Sequence, residues 1–514
     1  MPMLKTLPFA CLLNLFFFSN IHAKVYNMQE LGADISGKTC CTSLINQSIE
    51  KAATEGGGTI FFPAGLYLTG AIKMKSNITI HIESGAVIRF SDNFDDYLPF
   101  VLMRWEGTVM NSFSPLFYAV DAENLTITGR GKVEGQGAKW WAENDRLSRI
   151  VRENKSDDVA LTKYQQMWAD ANPDFTVEPY YQRSVLRKFF RPPFIQFFRC
   201  KNIRIDGITI VDSPFWTINP EFCDNITIHG VTIINHPDSP NTDGINPSSC
   251  SNVHISNCHL DVGDDCITIK SGRDGDGRKW GKASENITIT NCTMLAGHGG
   301  VVIGSEMSGG VKKITISNCV FDGTDAGIRF KASRGRGGIV EEIRVDNIVM
   351  NNIQRNAFIF DLYYDKDSQP EPVSERTPVF RNIHISNVTG SNINKIGYIT
   401  GIEEMPIEEI SFSNVNMSGK EGFSAKTARN IQFHNIDFAV AKGASFEIND
   451  CEDIILNNVR SKTPISGQAV VSVSNTQNLF INNCFPIVET DIFCESKNSK
   501  LIWGNNFFNN VKQK

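Results

Sequence analysis

The 514 residues are 41% hydrophobic and carry a net charge of −6. That is ample for a deep core, and it excludes the broad positive field expected of a nucleic-acid or anionic-membrane binder. Any affinity for an anionic ligand has to come from local cations.

In chain order, Lys5, an apolar run from Leu7 to Phe18 broken by Asn14, and Ile21-His22-Ala23 have the layout of a secretory signal peptide over 1–23, cleaved after Ala23. The run is too short to span a bilayer and no later stretch is long enough. The expectation is an exported protein, periplasmic or extracellular, without membrane insertion, its residues 24–514 forming one domain. Residues 24–75 read as an N-terminal cap and first coil. Within them Thr42 to Ala53 is the one convincing short helix, with Leu44, Ile45, Ile49, Ala52 and Ala53 on one face. Such a helix would cover the open end of an apolar column. Gly56-Gly57-Gly58 then turns the chain into the strand Thr59-Ile60-Phe61-Phe62.

From here a motif, Asn-[apolar]-x-[apolar], recurs almost to the C-terminus. Asn77-Ile78-Thr79-Ile80, Asn124-Leu125-Thr126-Ile127, Asn225-Ile226-Thr227-Ile228, Asn286-Ile287-Thr288-Ile289 and Asn478-Leu479-Phe480-Ile481 are among the copies, and after Ile203 they follow every 21 to 40 residues. Each is a short alternating strand, and no amphipathic helix of useful length separates them. Stacked coils of a parallel β-helix would bury such faces as one continuous column. A β-propeller needs a longer and stricter period, and a β-sandwich rarely reaches this size. The Asn positions suit strand-edge turns, where Asn tolerates unusual backbone angles and forms ladders between coils.

Two intervals exceed one coil. Ile78 to Leu125 is expected to hold an extra coil near Pro115-Leu116-Phe117-Tyr118. Leu125 to Ile203 holds a charged, aromatic insertion over 139–188 with Trp140, Trp141, Tyr164, Trp168, Tyr180 and Tyr181. Those rings suit either a satellite cluster on the side of the column or sugar stacking. The Gly-rich stretch Ser271 to Lys282 lacks a Gly-Lys-Ser/Thr and shows no sign of a helix, so a nucleotide loop is rejected. Twelve cysteines remain after Cys11. Most occupy repeat positions and read as stacked buried thiols, zinc spacing is absent, and Cys484 with Cys494 is the best disulfide candidate. The Asn-x-Ser/Thr triplets are generated by the repeat itself and are poor evidence for glycosylation.

Four islands carry chemistry: Asn241-Thr242-Asp243-Gly244, Gly263-Asp264-Asp265-Cys266, Gly297-His298-Gly299 and Arg329-Phe330-Lys331. Alone, each is ordinary turn chemistry. Counted from the first apolar residue of its own repeat, Asp243 shares a phase with Lys331, and Asp264 with His298. Coils stack about 4.8 Å apart, so the islands would line one groove. Neighbouring carboxylates raise one another's proton affinity, which suits glycosidic hydrolysis by one protonated and one ionised carboxyl. Arg329 and Lys331 would hold a carboxylated sugar, which implies uronic acids. Asn241, Gly299, Lys270 and Arg273 are counted with them as candidate substrate contacts.

These islands, in this order and at this coil spacing, resemble the Asn-Thr-Asp, Asp-Asp, Gly-His-Gly and Arg-x-Lys signature of glycoside hydrolase family 28, the polygalacturonases and related pectinases. The strict match covers Asn241 to Lys331, and the repeat and cap extend it over most of residues 24–514. The resemblance implies a right-handed parallel β-helix that hydrolyses α-linked galacturonosyl bonds with inversion and without a metal or other cofactor. It makes Asp264 the general acid, Asp243 and Asp265 the holders of the water, His298 the group that tunes the acid, Arg329 and Lys331 the carboxylate binders, and Asn241 an orienting residue. Phe330, between the cations, departs from the commonest pattern and is expected to point inward. The insertions and the Ser271 to Lys282 loop resemble exo-acting members. The implied partner is an acidic, galacturonate-containing polysaccharide or oligosaccharide; rhamnogalacturonan or xylogalacturonan is the nearest alternative. A calcium-dependent pectate lyase and a non-catalytic glycan-binding β-helix are more distant. No feature of the sequence sets an oligomeric state.

Overall fold

The computed structural model describes residues 24–154, 160–175, 189–365, 368–508 and 512–513. The expected signal peptide lies outside them. No helix among the described residues is long and apolar enough to cross a membrane.

The repeat builds the fold. At each copy the Asn, or the Lys313, Glu342, Glu409 or Asp453 in its place, adopts a positive φ, from 51° at Asn382 to 63° at Asn77. Asn reaches that region most readily because its short amide can bond locally. The amides then form ladders. Asn225 Nδ2 donates to Asn202 Oδ1 at 2.9 Å, Asn202 Nδ2 to Asn124 Oδ1 at 3.0 Å, and Asn124 Nδ2 to Asn77 Oδ1 at 2.7 Å. After each turn the strand pairs in parallel with the copy before and after it: Ile205 with Ile228, Ile228 with Ile255, Ile255 with Ile289 and Ile289 with Ile316. All of these side chains are buried, each worth about 1.5–3 kcal/mol relative to exposure. The result is the expected right-handed parallel β-helix, its apolar column running the length of the stack.

A second ladder of shorter strands, such as Thr209–Val211, Thr232–Ile234 and His259–Asp261, forms another wall. A third carries the islands. Its register runs Ile195, Ile218, Ile245, Ile267, Val301, Ile328 and Phe358. The helix Thr42–Thr54 covers one end through Ile45, Ile49 and Ala52.

Several expectations are corrected. Ile78 to Leu125 contains no extra coil, because Glu123–Gly129 pairs directly with Ile78–Ile82. The added length forms a 3-10 turn, Phe94–Tyr97, and an antiparallel hairpin, Val101–Trp105 with Thr108–Ser112. The insertion is helical over Ala138–Asn154 and Lys163–Ala171. Trp140 is fully buried and packs against Phe94, Tyr97 and Phe113, while Trp168 stacks on Phe190 at 4.6 Å. Trp140 thus joins the main core and Trp168 a separate satellite cluster with Met103, Trp105 and Phe215; Tyr180 and Tyr181 lie outside the described residues. Ser271 to Lys282 does contain a helix, Asp274–Trp280. Cys484 and Cys494 are free thiols. Cys494 sits on the island-bearing ladder opposite Val471, whereas Cys484 follows a repeat strand and bonds Asn482 O at 3.3 Å. The repeat cysteines stack as expected, with Cys200 N donating to Cys223 Sγ at 3.3 Å.

Candidate active site

The third ladder brings all four islands together. Asp265 lies opposite Gly299, which places Asp264 beside His298 as the phase count predicts. The other phase match is wrong. The bridges from Ile245 to Ile267 put Asp243 level with Asp265, and Lys331 pairs with Gly304, level with Lys270. The cause is an enlarged turn, His236 to Asn241, that makes this coil five residues longer than the next between equivalent isoleucines. The long Lys331 side chain closes the gap, its Nζ 2.8 Å from Asp265 Oδ2.

Asp243, Asp264 and Asp265 offer oxygens within 4.8 Å of one another. Such a trio could share a cation, yet counter-charge is already supplied by Lys331 and by Lys270, whose Nζ is 3.9 Å from Asp243 Oδ2. Asp243 is buried; Asn246 Nδ2 donates to its Oδ2 at 2.9 Å. Asp264 is pinned by its own backbone neighbours. Its Oδ1 accepts from Asp265 N at 2.8 Å and its carbonyl from His298 N at 3.0 Å. His298 Nδ1 lies 3.2 Å from Asp264 Oδ1. That approach needs Gly297, at φ 116°, because an added Cβ would sit 2.4 Å from Asp264 O. Asp265 Oδ1 is buried and has no hydrogen-bond partner among the described residues, with Arg329 NH1 3.8 Å away.

The electrostatics divide the trio. Burial and the adjacent Asp264 charge push Asp243 well above the usual carboxylate range. Burial also lifts Asp264, but the hydrogen bond from His298 and the Lys331 charge outweigh it and hold this carboxyl below its ordinary value. His298 is raised in turn by its bond to Asp264. Lys270 is raised despite its burial, because Glu306 at 2.8 Å and Asp243 favour its charge.

A cavity of about 460 Å³ opens over the trio. Asn241, Asp243, Asp264, Asp265, Lys270, His298, Arg329 and Lys331 line it. Two candidate contacts do not. Gly299 is buried opposite Asp265 and presents no side chain. Arg273 lines an adjoining cavity of about 360 Å³ and pairs with Glu106 at 3.2 Å. Phe330 is buried and stacks on Phe360 at 4.7 Å, as its alternation with the cations predicts. Sequence reasoning missed Glu106, Trp216, Glu306, Asp325, Tyr364 and Tyr398 in the lining. Trp216 faces the Lys270 ammonium at 4.5 Å, and Tyr364 faces Lys331 at 5.4 Å.

The model of glycosyl hydrolases family 28 matches residues 186–436. The crystal structure of a hyperthermoactive exopolygalacturonase from Thermotoga maritima is 30% identical, with 81% of this chain and 91% of that one covered and a TM-score of 0.70. The chain belongs to glycosyl hydrolases family 28. Among curated members, an exo-poly-alpha-D-galacturonosidase from Dickeya chrysanthemi is 29% identical over 82% of this chain and 72% of its own. A probable polygalacturonase from Vitis vinifera is 27% identical over 76% of this chain and 74% of its own. Membership makes this protein a glycoside hydrolase, and the family match spans all four islands.

Proposed function

We propose that the protein is an exported hydrolase of α-linked galacturonosyl bonds in pectic polymers, cutting from the chain end. The observation that carries the proposal is the carboxylate trio under one cavity, with His298 on Asp264 and two cations, Arg329 and Lys331, along one wall. Asp264, at the His298 side, protonates the leaving oxygen. Asp265 presents its unpartnered Oδ1 to the attacking water, and Asp243 shares that water. Arg329 and Lys331 bind the sugar carboxylate through charge-assisted hydrogen bonds. Arg191 donates to Asn241 Oδ1 at 2.7 Å and fixes the Asn241 amide at the rim.

The two directions, Asp243 raised and Asp264 lowered, are opposite to what an Asp264 acid requires. Substrate supplies the reversal. A uronate carboxylate engaging Lys331 competes for the ammonium that otherwise holds Asp264 down, which moves Asp264 toward the protonated form an acid needs. Inversion at the anomeric carbon follows the family resemblance. Retention would instead require a carboxylate of the trio to attack the anomeric carbon in place of water. Proton NMR of the first-formed anomer on galacturonate oligomers decides between them.

The test of function is product analysis on polygalacturonate. Early release of monomer alone supports chain-end hydrolysis, and an early ladder of oligomers overturns it. Parallel runs on defined rhamnogalacturonan and xylogalacturonan oligomers set the substrate. An unsaturated product with new ultraviolet absorbance, lost on adding chelator, would mark a lyase instead.

A further inference from the structure

The hairpin Val101–Trp105/Thr108–Ser112 turns through Glu106 and Gly107, at φ 43° and 80°. Both central residues are left-handed, as a two-residue type I′ turn demands. Asn, Asp and Gly suit that conformation; Glu gains no such local help, and strain kept at a tip points toward function.

The tip is built into the wall of the groove. Arg104, wholly buried, donates to Glu221 at 3.2 Å, Ser249 Oγ at 2.9 Å and Gly107 O at 3.0 Å. Arg273 N also donates to Gly107 O, at 3.1 Å, and an added Cβ on Gly107 would sit 2.8 Å from that nitrogen. On the second strand, Asn111 N donates to Asn172 Oδ1 at 2.8 Å. The hairpin therefore places the Glu106 side chain where the cavity over the trio meets the adjoining arginine-lined cavity. Arg273 NH1 pairs with Glu106 Oε2 at 3.2 Å.

A fixed carboxylate is unusual company for an anionic polymer. It repels the carboxylate of a further uronate but accepts hydrogen bonds from sugar hydroxyls. In a 1,4-linked galacturonan, the residue at the non-reducing end differs from internal ones by a free 4-hydroxyl and by having no uronate beyond it. We propose that Glu106 is a specificity-determining residue that recognises this free chain end. The proposal rests on the reading of the groove as a chain-end-cleaving uronate hydrolase.

The experiment compares kcat/KM on saturated galacturonate tetramers with that on tetramers carrying a 4,5-unsaturated residue at the non-reducing end, which lack the 4-hydroxyl. The full protein is measured as wild type, E106Q and E106A, with thermal unfolding as the check on folding. Wild type is expected to prefer the saturated tetramer about tenfold or more, the scale of a hydrogen bond to a charged group. E106Q should lower that preference and E106A should abolish it. A wild type without preference, or an unchanged preference in either folded variant, overturns the role of Glu106. Internal cutting of polygalacturonate by wild type instead overturns the chain-end reading beneath it.

Discussion

Replacing Asp264 by Asn keeps the shape of the side chain and removes one charge from the trio. The carboxylate oxygens lie within 4.8 Å of one another, where two unit charges repel by about 3–4 kcal/mol at an effective dielectric near 20. Asp264 is the leading charge that raises Asp243, so its removal should draw the Asp243 carboxyl back down. In the proposed mechanism the variant also lacks the proton donor, which is worth about 10²–10⁴ in rate. Two readouts follow. Reducing-sugar release from galacturonate oligomers should fall by at least about a hundredfold, with the unfolding temperature retained. The infrared band of a protonated carboxylic acid assigned to Asp243 should fade at lower pH than in wild type. Near-normal turnover would remove Asp264 from the acid role. A band unchanged in its pH dependence would mean that burial, and not the neighbouring charge, holds the Asp243 proton.

The remaining predictions concern the groups around the trio. Lys331→Met should lower kcat/KM on galacturonate oligomers by about ten- to a hundredfold, as one charge-assisted contact is lost, and much less on methyl-esterified oligomers; equal losses on both would deny a carboxylate contact. His298→Ala should move the alkaline limb of the kcat/KM–pH profile upward. The imidazole holds Asp264 below its ordinary value, so its removal lets Asp264 keep a proton to higher pH; a downward shift would contradict the assignment. Arg104→Met should destabilise the fold by about 3–5 kcal/mol, because it leaves Glu221 buried without its cation. Burial pushes Glu221 up from 4.5 to about 7 even with Arg104 present. The raised group supports the fold fully below about pH 4.5, and that support is lost as pH rises through 7. The drop in unfolding temperature should therefore be smaller at pH 4.5 than at pH 8.

The fold was legible because the repeat states its backbone rule at every coil. An Asn that tolerates positive φ precedes alternating apolar residues, and both features survive where Lys313 or Glu342 replaces the Asn. The Asp264–His298 pairing was legible because the two coils that carry them have equal lengths to the island-bearing strands. Asp243 was assigned to the wrong partner because a phase count cannot see that the His236 to Asn241 turn adds five residues. Lys270 belongs to none of the four islands, yet it stands level with Lys331 and faces Asp243. Glu106, Glu306 and Tyr364 were missed because each stands alone in a turn, outside the repeated strands. The Glu106-Gly107 pair did leave a signal: Met103-Arg104-Trp105 and Thr108-Val109-Met110 flank it as two short strand-like runs.

The two halves of the site depend on different physics. The carboxylates are set by backbone register: His298 N bonds Asp264 O and Gly244 N bonds Asp265 O at 3.0 Å each, so their mutual distances are as rigid as the column. The wall opposite is set by side chains inserted from outside the repeat, with Arg104 and Arg191 anchoring the hairpin and the Asn241 turn through buried hydrogen bonds. In this rigid trio Asp243 is held up and Asp264 held down in proton affinity. An acidic sugar that takes Lys331 away from Asp265 changes the charge balance without moving the backbone. On the proposed function, the substrate carboxylate then acts on reactivity as well as affinity. Methyl esterification should accordingly lower kcat in addition to raising KM, and a change in KM alone would confine Lys331 to binding.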